Sequence, residues 1–264
     1  MSLAEIYRPE AAVLVSPSEE KPFRVRPLKA LRALGRLLKD KEDTAQVFEI
    51  MRALSGRSIP NGYARLIETP NGGAIAYRRQ ELAEILSDRA FLERLPKGSV
   101  GRTYLEFTTN ENISAQGLVE ESRKGINEAE IDSEHPFAWY GRRLRDVHDL
   151  WHVLSGYGRD ALGETCLVAF SYAQTKSHGF ALIAAAGALK LRREVPGLPS
   201  IRATWEGYRN GRKAAWLPGE DYVRLLAEPL ASARQRLNIR QPDIYDAVSK
   251  DDRNGTAELL GMAA

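Results

Sequence analysis

The sequence predicts an all-α fold, and three observations support this prediction. From Pro27 onward, apolar residues recur at intervals of three and four, which is the period of an amphipathic helix. No convincing run of alternating β-branched residues, the pattern of a half-buried strand, is present. The 264 residues are 43% hydrophobic and 28% charged, a balance that is typical of a globular protein and excludes a disordered or fibrous chain.

We expect a single helical domain between two less regular ends. Residues 1–26 contain three prolines without sustained periodicity and are interpreted as an extended N-terminal arm. Residues 27–240 form the domain, since no Pro/Gly-rich linker divides them, and residues 241–264 form a C-terminal tail. No apolar run approaches the roughly 18 residues of a membrane span. The N-terminus resembles neither a signal nor a transit peptide, so we expect a bacterial-type cytoplasmic protein.

Two amphipathic helices are expected first, followed by a loop. Pro27 fits the first turn of a helix over 28–39, in which five leucines fall on one face and basic residues on the others. This helix either lies on an anionic membrane surface or packs into the core. Asp43 and Gln46 resemble the capping box of a second helix. Residues 57–76, rich in Gly, Pro and Asn, are expected to form a loop.

Helical periodicity returns after residue 76. Ser155-Gly156-Tyr157-Gly158 is expected to end one helix, and Asp160 is placed to cap the next. An acidic loop is expected up to Glu134. The expected helices are 77–86, 90–95, 100–107, 115–123, 137–154, 161–193, 200–215 and 219–237.

Composition also limits the chemistry. The formal net charge of +3 is too small to indicate nucleic-acid binding. The single cysteine, Cys166, excludes an internal disulfide and a cysteine-based zinc site, and indicates a reducing compartment. Neither Ser155 nor Cys166 has the neighbours of a catalytic triad, and no flavin or nicotinamide motif is evident, so no organic cofactor is expected.

A candidate metal site is encoded by four residues. His148 and His152 lie four positions apart on a predicted helix, so their side chains point within about 40° of each other. Asp149 lies between them in angle. Glu164 follows His152 after eleven residues and reaches the same groove if the two helices pack antiparallel. Two imidazoles and two carboxylates without thiolates suit Zn²⁺, Fe²⁺ or Mn²⁺.

Two other interpretations of these histidines stay open at this point. Both residues could be polar side chains of an ordinary seam between helices. The adjacent His148 and Asp149 also resemble the metal phosphohydrolases of the "HD" type. Those proteins need a further upstream histidine and a distant aspartate, and His135, the only upstream histidine here, precedes Pro136 and the predicted helix.

The spacing His148-Asp149-x-x-His152, then eleven residues, then Glu164 resembles the signature of the "coenzyme Q four" family of ubiquinone biosynthesis. The resemblance extends over roughly residues 28–240. The further matching segments are Gly101–Phe107, Asn110 to Ser114, Tyr140, Arg143 to Gly156, Leu162-Gly163-Glu164, Asn210-Gly211-Arg212, Glu228-Pro229-Leu230, Leu237 and Ile239.

This resemblance implies an all-helical, dimeric protein that binds a polyprenyl quinone precursor and a divalent metal. It implies a lyase-type enzyme that removes the carboxyl group from ring carbon one of a prenylated hydroxybenzoate and installs a hydroxyl group there. The alternative is a non-catalytic, prenyl-lipid-binding scaffold that organises the other quinone-biosynthesis enzymes. Peripheral contact with the inner membrane is expected in either case. Carried over by position, the metal ligands and catalytic residues would be His148, Asp149, His152 and Glu164.

The substrate of such a protein needs an apolar slot for its tail and a cation for its head group. Phe180 and the small residues 184–188, expected on the same helix as Glu164, are candidates for the slot, although they equally suit helix packing or a dimer seam. Arg145, Lys176 and Arg212 are candidates for binding an anionic head group.

Overall fold

The computed structural model describes residues 23–38, 44–114, 117 and 135–253, and every regular element in these ranges is helical. The all-α fold and the single helical domain are therefore confirmed. The helices of the N-terminal part are α1 (Pro27–Leu37), α2 (Thr44–Leu54), α3 (Ser58–Ile67), α4 (Gly72–Arg78), α5 (Leu82–Ser87), α6 (Arg89–Arg94) and α7 (Val100–Asn110). Those of the C-terminal part are α8 (Pro136–Asp146), α9 (His148–Ser155), α10 (Ala161–Thr175), α11 (His178–Glu194), α12 (Ser200–Lys213), α13 (Tyr222–Leu225), α14 (Leu230–Arg236) and α15 (Asp243–Asp246), with a short 3₁₀ turn at Leu217–Gly219.

Helix α10 lies at the centre of the domain. It is buried on most of its surface, with Cys166 and Phe170 fully enclosed, and α11 and α12 pack along it. Helix α12 approaches closely because it presents glycines. A Cβ at Gly207 or Gly211 would lie less than 3.0 Å from the carbonyl oxygen of Cys166 or Phe170, respectively. This close packing fixes the position of α10, whose first turn carries Glu164.

Helix α1 packs against α2 with one face and leaves the opposite face exposed. Ala30 and Ala33 are fully buried in a small cluster that also contains Ile50 of α2. The predicted leucine face is divided between the two environments: Leu34 and Leu37 pack against the cluster, whereas Leu28, Leu31 and Leu38 are 70%, 55% and 44% exposed. The expectation that this helix packs into the core therefore holds only for the face that carries Leu34 and Leu37.

The loop predicted over 57–76 is wrong, because this segment forms α3 and α4. Pro60 lies in the first turn of α3, where its missing N–H breaks no helical hydrogen bond. Gly62 allows the buried ring of Tyr140 to approach, since a Cβ at this glycine would overlap the phenol. The glycine and proline content reflects tertiary contacts here rather than irregular backbone.

The long helix predicted over 161–193 is also wrong, because it is two helices, α10 and α11. Helix α10 ends where Lys176 adopts a left-handed conformation with φ of 58°. Phe180 and the small residues 184–188 therefore lie on α11 and not on the helix that carries Glu164. A lysine gives no sequence signal for such a turn, which glycine or asparagine usually provides.

Three further predicted helices have different bounds. Residues 137–154 divide at Val147 into α8 and α9, and residues 219–237 divide before Pro229 into α13 and α14. The predicted helix 77–86 is interrupted at Arg79, which is left-handed. Asp160 caps α10 as predicted, since its Oδ1 accepts hydrogen bonds from the amides of Leu162 and Gly163.

Some predictions fall outside the described residues. These are the proposed cap at Asp43, most of the short helix at 115–123, residues 1–22 of the arm and residues 254–264 of the tail. The boundaries of the arm, domain and tail stay predictions. Among the described residues, none of the helices combines the length and the apolar character that crossing a bilayer requires.

Candidate metal centre

His148 and His152 are the first and fifth residues of α9. Their rings are perpendicular, with centroids 5.0 Å apart, so that one turn of helix presents two imidazoles to the same place. The two residues differ in exposure. The side chain of His152 is fully buried, whereas that of His148 is 27% exposed. The predicted pairing of these histidines on one helix is observed.

Glu164 meets both histidines from the first turn of α10, the helix that follows α9. Its Oε1 lies 3.2 Å from Nε2 of His152, and its Oε2 lies 3.6 Å from Nε2 of His148. One ligand atom from each of the three residues lies within 4.8 Å of the others, so this cluster could hold a metal ion. The predicted antiparallel arrangement of the two helices stays a prediction.

The tautomer of His152 follows from its backbone contact. Nδ1 lies 2.9 Å from the carbonyl oxygen of Tyr157. Because a carbonyl only accepts, Nδ1 carries the hydrogen and donates it. The neutral ring then has its lone pair on Nε2, which is the atom that faces Glu164. Metal-binding histidines are commonly oriented by such a hydrogen bond on the second ring nitrogen.

A buried nitrogen in this cluster lacks a hydrogen bond. Nε2 of His152 has no hydrogen-bond partner among the described residues, although Oε1 of Glu164 lies at ion-pair distance. A neutral His152 would place a nitrogen lone pair against carboxylate lone pairs. A positive charge is therefore needed between the two atoms, and either a proton on Nε2 or a metal ion supplies it.

The pKa values of the pair reflect the same need. Burial lowers the pKa of His152, but the carboxylate of Glu164, with smaller contributions from Asp149 and the backbone of Tyr157, outweighs burial and leaves the pKa above its usual value. Burial raises the pKa of Glu164, but His152 and His148 outweigh it and hold the pKa far below its usual range. Both shifts favour the charged forms, an imidazolium beside a carboxylate.

Asp149, the fourth predicted ligand, falls outside the three-residue cluster. Its side chain is buried, and its charge contributes to raising the pKa of His152 and of Tyr104, which places it near both. Asp149 as a direct ligand stays a prediction.

Sequence reasoning missed three neighbours of the cluster. Phe107 of α7 stacks on His152, with centroids 5.6 Å apart and an interplanar angle of 25°. Tyr157 contributes only its backbone carbonyl, so its residue type gives no signal. Arg159 lies with Nε 3.9 Å from Oε1 of Glu164 and is 33% exposed. Its position beside the predicted cap Asp160 was the available signal.

The predicted substrate-binding residues are dispersed. Arg145 is engaged with the buried Asp146, with Nη2 2.6 Å from Oδ1. Lys176 lies at the other end of α10, twelve residues and therefore about 18 Å along the helix from Glu164. Phe180 is half-buried on α11, and Arg212 is exposed on α12. In the described part of the chain, the basic residue within ion-pair distance of the cluster is Arg159, not one of these four.

Comparison with known proteins identifies one family. A model of the family described as "Coenzyme Q (ubiquinone) biosynthesis protein Coq4" matches residues 27–243. Two similar relatives are named "Ubiquinone biosynthesis protein COQ4 homolog, mitochondrial". The relative from Danio rerio is 30% identical over 68% of this chain and 64% of its own length. The relative from Homo sapiens is 28% identical over 67% of this chain and 63% of its own length. The chain thus spans slightly less than two thirds of these relatives.

A solved structure shares the fold. The crystal structure of a candidate ubiquinone biosynthesis protein from Nostoc punctiforme PCC 73102 superposes with a TM-score of 0.59. The superposition covers 83% of this chain and 100% of the Nostoc chain, and the two sequences are 20% identical. At this identity the likeness concerns the helical architecture alone.

Proposed function

The chain belongs to the Coq4 family of coenzyme Q (ubiquinone) biosynthesis proteins, and from that premise we propose that it is a metal-dependent enzyme of this pathway. Its substrate is a polyprenylated hydroxybenzoate. The enzyme removes the carboxyl group at ring carbon one and installs a hydroxyl group in its place. The observation that carries the proposal is the convergence of His148, His152 and Glu164, with a buried imidazole nitrogen that lacks a hydrogen bond.

The donor set fits a divalent metal. Two imidazole nitrogens and one carboxylate, without thiolates, suit Fe²⁺, Mn²⁺ or Zn²⁺, and the combination of two histidines and one carboxylate is the set used by non-haem iron oxygenases. Such a set leaves coordination positions open for substrate. When bound, the metal supplies a Lewis acid and a site for dioxygen chemistry.

The surrounding residues orient and enclose this site. The carbonyl of Tyr157 holds Nε2 of His152 toward Glu164, and the ring of Phe107 stacks on the fully buried imidazole. Arg159 extends from the more exposed side. Its guanidinium can bind the carboxylate of the substrate through two parallel hydrogen bonds, a geometry that lysine cannot reproduce.

The reaction must balance in atoms and electrons. The bond between ring carbon one and the carboxyl carbon breaks, and the carboxyl group leaves as carbon dioxide. One oxygen atom of dioxygen becomes the new hydroxyl group and the other becomes water. Starting from the neutral acid, this stoichiometry consumes two protons and two electrons, and the electrons come from an external reductant. We therefore infer that a reductant or an electron-donating partner accompanies the enzyme.

Incubation of metal-loaded protein with a prenylated hydroxybenzoate, dioxygen and a reductant tests the proposal. Carbon dioxide and the hydroxylated ring product are expected in equal amounts. The matched control is Glu194→Gln, which neutralises a glutamate at the end of α11, whereas Glu164→Gln should abolish product. Substrate binding without product under every metal would contradict the enzyme and favour the scaffold.

Partners and location are part of the same proposal. We propose a homodimer that contacts other quinone-biosynthesis enzymes and associates peripherally with the membrane in which a polyprenyl substrate resides. Sedimentation equilibrium measures the first property. A strictly monomeric protein at micromolar concentration would contradict it.

A further inference from the structure

A second candidate site lies at the opposite end of α10 from Glu164. Here a cavity of about 340 Å³ opens where the end of α10 meets the start of α3 and the segment that precedes α1. Arg57, Arg65, Lys176 and His178 all line this cavity, and no carboxylate side chain is among its described lining residues. A concave surface with three permanent positive charges and no compensating acid favours an anionic ligand.

The start of α3 strengthens the positive potential. This ten-residue helix begins at the cavity, so the partial positive charge of its N-terminus adds to the basic side chains. Arg57 precedes its first residue and provides no side-chain cap. Ser58, the first residue, lines the cavity with a buried Oγ that has no hydrogen-bond partner in the described part of the chain. Hydroxyl and guanidinium donors together suit the oxygen atoms of a phosphate.

Local structure restrains two of the basic residues, Arg65 through its side chain and Lys176 through its backbone. The guanidinium carbon of Arg65 lies 4.3 Å from the ring centroid of Trp216, which also lines the cavity. Lys176 adopts a left-handed backbone conformation, with φ of 58°, which costs a non-glycine residue free energy. Glycine would fit this position with less strain. The chain thus places a charged side chain at the cavity wall where the backbone alone would favour glycine.

An exposed apolar strip runs from the cavity along α1. Val25 lines the cavity and is 44% exposed. The strip continues through Leu28 and Leu31, on the exposed face of α1. Arg24 and Arg32, both exposed, flank it. Exposed leucines flanked by basic residues are typical of a helix that lies in the plane of a bilayer surface.

We propose that this cavity binds the phosphate group of an anionic phospholipid while the strip of Val25, Leu28 and Leu31 inserts among the lipid chains. Continuity of the strip with the cavity favours a lipid over a soluble phosphate, since the phosphate and the apolar part of one lipid molecule would meet the two adjoining surfaces together. This site is separate from the metal centre, and it requires no metal and no turnover.

Vesicle binding of the full chain tests this proposal. The probes are vesicles of phosphatidylcholine alone and of phosphatidylcholine mixed with phosphatidylglycerol, with binding followed by co-sedimentation. Strong binding is expected only to the mixed vesicles. A basic residue close to an anionic lipid surface contributes roughly fivefold in affinity, so Lys176→Gly should weaken binding by about that factor or more. Equal binding to both kinds of vesicle would overturn the proposal.

The choice of Lys176→Gly separates loss of binding from loss of folding, because glycine relieves the left-handed backbone and should leave the melting temperature unchanged or higher. Arg79→Gly is the matched control. Arg79 is also basic, exposed and left-handed at the end of a helix, but it does not line the cavity. Equal weakening by the two variants would mean that only overall charge matters, and this would overturn the site.

Titration with soluble phosphate compounds tests whether the phosphate group that binds the cavity belongs to a lipid. Glycerol phosphate and inorganic phosphate are titrated by calorimetry against the wild type and the Lys176→Gly variant. Binding much weaker than that of the mixed vesicles is expected, because neither probe engages the apolar strip. If glycerol phosphate bound as tightly as the vesicles and required Lys176, the ligand would be a soluble phosphate and the lipid assignment would be wrong.

Discussion

Nδ1 of His152 lies 2.9 Å from the carbonyl oxygen of Tyr157, and this contact determines which ring nitrogen faces the candidate metal centre. It fixes the hydrogen on the nitrogen that points away from Glu164. The opposite nitrogen, Nε2, is therefore free to act as a ligand. A backbone carbonyl is a dependable acceptor here because no side-chain substitution removes it.

Replacing Glu164 with glutamine should remove most metal binding. The amide has no charge with which to balance the ion, and it leaves Nε2 of His152 without its partner. We expect metal affinity to fall by about 100-fold or more, since even outer-shell partners of metal ligands are worth 10- to 100-fold. Elemental analysis of purified protein measures this. Glu194→Gln should retain the wild-type metal content; unchanged content in Glu164→Gln would refute the site.

Arg159→Gln should weaken substrate binding without removing metal. The loss of a charge-assisted hydrogen bond pair corresponds to roughly a tenfold or greater rise in Kd for the prenylated hydroxybenzoate. The analogue that lacks the carboxyl group should bind the variant and the wild type alike. Arg159→Lys should restore affinity only in part, because lysine cannot bind a carboxylate in the same planar geometry. If the prenylated hydroxybenzoate and its analogue without the carboxyl group lost affinity equally, the result would show that Arg159 does not bind the carboxylate.

Gly207→Ala should destabilise the fold and disturb the metal centre together. A methyl group at this position overlaps the backbone of α10 at Cys166, two residues from Glu164. We expect a loss of about 1–3 kcal/mol in the free energy of unfolding, measured by urea denaturation. Gly35→Ala is the control, since Gly35 is exposed within α1 and its Cβ would meet nothing. That variant should be unchanged or more stable by up to about 1 kcal/mol.

Without metal, the stability of the fold should depend on pH through both members of the pair of His152 and Glu164. The raised pKa of His152 means that its imidazolium contributes stability that is full below its usual pKa of 6.5 and is lost as the pH rises through the raised value. The lowered pKa of Glu164 means that its contribution is full above its usual pKa of 4.5 and is lost only as the pH falls toward the lowered value. The metal-free pair therefore stabilises the fold most between these two usual values.

Above pH 6.5 we expect metal to reverse this loss of stability, because a metal ion must displace the proton from His152 and does so more easily as the pH rises. The increase in melting temperature on adding metal should grow as the pH rises above 6.5. Thermal melts across this range, with and without metal, measure the effect. In Glu164→Gln the increase should be small at every pH. A metal-induced increase that shrank with rising pH would contradict the assignment.

The helical fold and the pairing of His148 with His152 could be predicted from the sequence, because both follow from the local period of an α-helix. The position of Lys176 could not be predicted in the same way. Lysine seldom adopts the left-handed backbone that ends α10, so its residue type does not mark the turn, although the neighbouring Thr175, Ser177 and Gly179 are weak helix formers. The prediction of one long helix over 161–193 therefore placed Phe180 on the helix that carries Glu164. Likewise, Phe107 lies forty-five residues before His152, the ring on which it stacks, and stacking at such a separation has no local signal.

The unequal exposure of the two histidines has a consequence for metal exchange. Glu164 and His148 are reached from solvent, with side chains 21% and 27% exposed, whereas His152 is enclosed. An ion that entered this cluster would therefore meet Glu164 and His148 first and His152 last. Such an ion would enter and leave from the exposed side of the cluster, so we expect a chelator to remove it from the folded protein without unfolding the chain.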